Sequence, residues 1–174
     1  MRRWVVAGLM IFGVVGLWAV QASGPGPDWA AWKFLLGDWV GEGGGSPGQG
    51  SGVFSFAPDL QGRILVRHNQ AEYPAAGGRP AAVHEDLLIA YEEAGAVKAV
   101  YWDSEGHFIA YEATVTPEGS IVLLSPEKPG EPRYRLTYQG LGNGRLAILF
   151  EVAPPGKPNE FVAYLHGTAR RKQN

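Results

Sequence analysis

There is no cysteine among the 174 residues. That excludes disulfides, a lipid-modified cysteine, thiolate metal sites and a thiol nucleophile together. Charge is scarce too: Asp, Glu, Lys and Arg make up 18% of the chain, too few for long solvated helices or a disordered tail. Neither sign dominates. The formal net charge is −2, so the basic excess that nucleic-acid binding draws on is missing. Catalytic signatures are equally thin. Gly50-Ser51-Gly52 reads as entry into a strand. The run Gly41-x-Gly43-Gly44-Gly45 opens no helix and is therefore not a phosphate cradle. None of His68, His84, His107 and His166 lies in a His-x-x-x-His pattern. His68, Gln70, His84 and Asp86 are placed on the outer face of one hairpin, and no metal is expected there. No residue is assigned a catalytic role, and the chain reads as a binding protein rather than an enzyme.

Turn formers are abundant: 25 glycines and 13 prolines, the composition of many short strands joined by many turns. The N-terminus is a separate segment. Arg2 and Arg3 precede an apolar run from Trp4 to Val20, and Val20-Gln21-Ala22 offers small residues for cleavage, so residues 1–22 read as an export signal. Its removal takes away two arginines and no acid, leaving a net charge of −4. A periplasmic or extracellular monomer follows, with no membrane attachment once the signal is cut. Residues 23–30 read as a flexible leader, and 31–174 as one domain.

Asp28 can cap a short helix carrying Trp29, Trp32, Leu35 and Leu36, and Gly37 stops it. From Trp39 the period changes to two. Alternation and Gly/Pro breaks predict about ten strands, over 39–45, 51–57, 63–73, 82–91, 97–103, 108–116, 120–125, 133–139, 145–152 and 161–169. Sequential strands with short links form a meander, and a meander this long closes to remove its edges. The expected architecture is all-β: a single up-and-down antiparallel β-barrel of about ten strands, with the short N-terminal helix plugging its floor. Turns 58–62, 92–96, 117–119 and 140–144 then lie at the floor with Trp39, and the longer, proline-rich loops form the mouth.

Opposed residues in an antiparallel pair share a face. Pairing Tyr91 with Val97 puts Val83, Glu85, Leu87, Ile89 and Tyr91 inside, together with Val97, Ala99, Tyr101 and Asp103. Extending the register adds Ile109, Tyr111, Ala113 and Val115, and then Leu65, Arg67 and Asn69. Arg67, Asn69, Glu85, Tyr101, Asp103 and Tyr111 are therefore the candidate ligand contacts: a few polar groups converging in an apolar interior. Closure brings Trp39 to the end of the last strand, where Arg170 or Arg171 can lie over its indole.

Gly37-Asp38-Trp39 near the start and an arginine after the final strand resemble the signature of the lipocalin superfamily. The longer Phe34-Leu35-Leu36-Gly37-x-Trp39-x-Gly41-x-Gly43 is similar to nitrobindin and fatty-acid-binding-protein-like bacterial barrels, many of them of unknown function. The resemblance covers about residues 31–172, with its motifs at the two ends, and implies a calycin-like barrel with a ligand cavity. No cofactor is required by it. A nitrobindin-like protein would bind haem and act on nitric oxide or peroxynitrite, with His166 of His166-Gly167-Thr168-Ala169 as the matching axial ligand, although Gly167 replaces the family's leucine. Whether His166 faces inward depends on whether Trp39 pairs in register with Ala169 or with Arg170. A third reading is an envelope protein with a filled barrel that works through its surface loops.

Overall fold

The computed structural model describes residues 26–42, 51–75, 78 and 80–173. Residues 1–22, expected to be an export signal, and the glycines at 43–45 lie outside the described residues. Ten strands follow one another in chain order: β1 (Gly37–Gly41), β2 (Ser51–Asp59), β3 (Ile64–Tyr73), β4 (Ala82–Glu93), β5 (Ala96–Asp103), β6 (Phe108–Val115), β7 (Ile121–Leu124), β8 (Arg133–Gly142), β9 (Arg145–Ala153) and β10 (Val162–Arg171). Each pairs antiparallel with its neighbours, and β1 pairs with β10, so the sheet is a closed up-and-down barrel. Closure joins the first strand to the last, which matters for a chain without disulfides.

Turn chemistry sets the register. Between β4 and β5 only Ala94 and Gly95 lie outside the ladder, with φ of 52° and 80°, the type I′ geometry whose twist matches the strands it joins. Glu93 therefore faces Ala96, Glu92 faces Val97 and Tyr91 faces Lys98. This corrects the expected pairing of Tyr91 with Val97. A five-residue turn would have kept those two on one face, whereas the two-residue turn shifts β4 by one position and reverses all its side chains. His84, Asp86, Leu88 and Ala90 point inward, and Val83, Glu85, Leu87, Ile89 and Tyr91 point outward. The other strands keep their expected faces. Tyr73 pairs with Ala82, so a second one-residue difference cancels the first and leaves Leu65, Arg67 and Asn69 inside.

The floor is sealed by aromatic packing. A 3₁₀ helix, Ala30–Leu35, inserts Trp32 and Leu35 into the core; Asp28 accepts a hydrogen bond from the Ala30 N–H at 2.8 Å. Phe34 lies against Gly140, where a Cβ would come within 3.3 Å of its ring. The Trp29 indole donates to the Gly62 carbonyl at 2.8 Å, and that of Trp39 to the Leu35 carbonyl at 2.7 Å. Trp32, Leu35, Trp39, Leu65, Ala90, Ala99, Ile121, Tyr138 and Leu146 are each at most 2% exposed. Trp39 stacks on Phe54, Phe54 meets Phe56 edge-on, and Phe56 meets Tyr138 edge-on with ring centres 5.5 Å apart.

The seam is held at its lower end by Arg171, which pairs with Trp39 in the ladder and lies over its indole at 4.5 Å. Its guanidinium also donates to the carbonyls of Leu36 and Phe34. Arg170 faces outward. Pairing of Trp39 with Arg171 and of Gly41 with Ala169 fixes the parity of β10 and puts His166 on the outer surface, exposed.

Candidate polar site at the barrel mouth

One ladder row climbs around the wall from Trp39 through Phe54, Asn69 and Asp86 to Asp103, and the next runs from Phe56 through Arg67, Leu88 and Tyr101 to Ile109. Strand tilt carries both rows from the aromatic floor toward the mouth, so Asn69, Asp86, Tyr101 and Asp103 form a polar group above an apolar base. Arg67 is 8% exposed. Its guanidinium lies 5.3 Å from the Phe54 ring centre and its Nη1 donates to Asp86 Oδ1. Asp86 also accepts from Asn69 Nδ2 at 2.9 Å, and His84 Nε2 is 3.5 Å from it. His84 continues the chain: Nδ1 is 3.2 Å from Glu105, and Nε2 is 3.3 Å from the Tyr101 hydroxyl. That hydroxyl donates to Asp103 at 3.2 Å. Asp103 organises the loop above, accepting from the backbone N–H groups of Glu105 and His107 and lying 2.8 Å from His107 Nδ1.

These contacts shift the acid–base behaviour of the cluster. The hydrogen bond to Asp86 raises the His84 pKa despite partial burial, with Glu105 adding to the effect. Burial alone would raise Asp103, but its bonds from His107 and Glu105 outweigh that and hold the carboxyl below the usual range. Desolvation pushes the Tyr101 and Tyr111 phenols far up, so both are neutral donors at any physiological pH. Burial opposes the charge on Arg67, and the Asp86 carboxylate paired with it offsets that burial.

Of the residues singled out from the sequence, Arg67, Asn69, Tyr101, Asp103 and Tyr111 all face the interior. Glu85 does not. It is exposed on the outer wall, where its backbone N–H donates to Ser104 Oγ at 3.1 Å. The acid that pairs with Arg67 is its neighbour Asp86, which sequence reasoning placed outside together with His84. Gly95 was the available signal, since glycine suits the second central position of a two-residue hairpin turn. The supposed outer cluster of His68, Gln70, His84 and Asp86 is split across the sheet. His166 points away from the interior, so a haem in the barrel would find no axial ligand there.

No known family model matches the chain, and no curated protein matches it. The fold defines the class: a closed ten-stranded antiparallel barrel, compatible in architecture with calycin-like barrels.

Proposed function

We propose that this protein is an exported barrel that binds a small, partly apolar molecule through its mouth, in the manner of the lipocalin superfamily. One observation carries the reading. Trp39, Phe56, Leu65, Ala90, Ala99, Ile121 and Tyr138 are fully buried at the floor, yet toward the mouth Asn69, His84, Tyr101, Tyr134, Phe150 and Leu165 keep part of their surface accessible. Two general considerations support it. Eight strands already enclose an interior that can hold a small ligand, and ten enclose more. Apolar walls with a few convergent polar groups are the usual composition of such sites. Tyr134 and Phe150 stack with ring centres 6.0 Å apart, an aromatic wall facing the polar cluster. The apolar run and small-residue cleavage site of residues 1–22 support export.

The test is titration with Nile red, a neutral apolar probe, beside native mass spectrometry of the protein purified from its own envelope. One probe per chain is expected, displaced by the organic extract of the native protein. Leu165→Trp, which fills the mouth, should weaken binding at least tenfold while leaving the β-sheet circular dichroism unchanged. A wild-type protein that neither takes up the probe nor carries a co-purifying molecule would sink the reading.

A further inference from the structure

Two inward tyrosines with unbonded hydroxyls sit in different surroundings. Tyr138 is sealed into the floor, where its hydroxyl is closed to water. Tyr111, on β6, is also buried, 3% exposed, and its hydroxyl has no hydrogen-bond partner among the described residues, yet its oxygen is not closed to water. The little surface that Tyr111 keeps therefore includes its hydroxyl tip, and a water-sized group has room to stand against it. Buried polar groups normally find a partner within the protein. This one is left to whatever occupies the interior.

The space beyond it can be traced on the neighbouring walls. The Tyr134 phenol is close enough to act electrostatically on Tyr111, and its ring stacks on Phe150. Tyr134, Ile148, Phe150 and Leu165 face inward, and each keeps part of its surface. Gly167 pairs with Ile148 on the same face, and a Cβ built on it would meet no atom within 4 Å. The open side of the interior is thus the inner face of β8, β9 and β10. It ends at the rim with Val162, which is 68% exposed.

Charge is what this side lacks. Ladder parity puts no charged side chain on the inner faces of β6, β7, β8 or β9. The cations on β3 and β4 are engaged, since Asp86 pairs with Arg67 and lies 3.5 Å from His84. A carboxylate brought to Tyr111 would lose its hydration and gain no counter-ion. Burial pushes the Tyr111 phenol far up, so it keeps its proton and offers a neutral donor.

We infer that the Tyr111 hydroxyl is the hydrogen-bonding anchor of the interior, and that it takes the uncharged oxygen of an otherwise apolar molecule, an alcohol or ketone rather than a carboxylic acid. The apolar body lies along Tyr134, Phe150 and Gly167. This rests on the binding reading above and adds the anchor and the ligand class to it.

Displacement of Nile red from the whole protein by three molecules of nearly one shape tests it: 2-naphthalenemethanol, 2-ethylnaphthalene and 2-naphthoate. At neutral pH the alcohol should bind at least about tenfold tighter than the carboxylate. Tyr111→Phe should weaken the alcohol about fivefold to tenfold and leave the ethyl compound unchanged or tighter. Gly167→Leu, which fills the open space without touching the anchor, should weaken the alcohol and the ethyl compound alike while the β-sheet circular dichroism stays as it is. A carboxylate that binds tightest, an alcohol affinity untouched by Tyr111→Phe, or an equal loss for the alcohol and the ethyl compound in that variant would overturn the anchor. Wild-type affinities in Gly167→Leu would overturn the placement of the apolar body. If none of the three displaces Nile red although Nile red binds, the anchor is overturned and the barrel reading stands. If Nile red itself does not bind, both fall.

Discussion

At the residue scale, two arginines do different work. Arg171 lies on the Trp39 indole and caps the carbonyls of Phe34 and Leu36, joining the last strand to the first at the floor. Replacing it with leucine removes a cation–π contact and two charge-assisted bonds, and should lower unfolding stability by about 1–3 kcal/mol in urea titrations. Arg67 is buried with Asp86, their side chains 10% and 5% exposed. Asp86→Ala would strand the guanidinium and cost about 3–5 kcal/mol, whereas a paired Arg67→Met, Asp86→Leu variant should lose far less. The difference between them is read in a double-mutant cycle. His84 and Asp103 give stability a two-sided pH dependence. His84 has a raised pKa when folded, so its contribution is complete below about pH 6.5, its unfolded value, and is lost as pH rises through the folded value. Asp103 is lowered, so its contribution is present above about pH 3.9 and is lost as pH falls through its folded value. In His84→Gln the urea midpoint should no longer decline on the alkaline side; an unchanged decline would show that another group titrates there.

At the element scale, the β4–β5 hairpin decides what the site contains. Strands and breaks were legible along the whole chain because alternation and Gly/Pro punctuation are local signals. Faces were legible where an anchor existed, as for Ala99, Tyr101 and Asp103. On β4 the parity depended on the length of one turn, and the outcome was Asp86 and His84 inside in place of Glu85. The turn itself is imperfect. Ala94 holds φ at 52°, where glycine or asparagine rests more easily. Ala94→Gly should therefore stabilise the barrel by about 0.5–1 kcal/mol without moving the site, measured as a shift in urea midpoint with an unchanged slope.

At the scale of the whole molecule, the barrel is packed at one end and accessible at the other. Trp32, Leu35, Trp39, Phe56 and Tyr138 fill the floor, while Tyr134, Phe150 and Leu165 stand half-buried toward the mouth. The packed floor carries the stability, the proposed binding belongs to the opposite end, and mouth substitutions should be tolerated better than floor ones. A ligand bound at a hundred times its Kd adds about 2.7 kcal/mol, which for a chain of this size is roughly 5–10 °C in melting temperature. Protein purified natively should melt higher by that margin than the same protein extracted with organic solvent and refolded. Coincident calorimetric transitions would mean that no molecule had been carried.

The sequence by itself determined the ten strands, their order, the position of nearly every turn, and the meeting of Trp39 with an arginine at the chain's end. Those follow from period-two alternation, turn residues and the requirement that a long meander close. Only the tertiary structure decided that Asp86 answers Arg67, that His166 lies outside, and that Tyr138 stands across the barrel from Arg67. The physical reason is parity. Alternation fixes the side chains of a strand relative to one another, but which set faces inward depends on the residue count of each turn, and one residue reverses it.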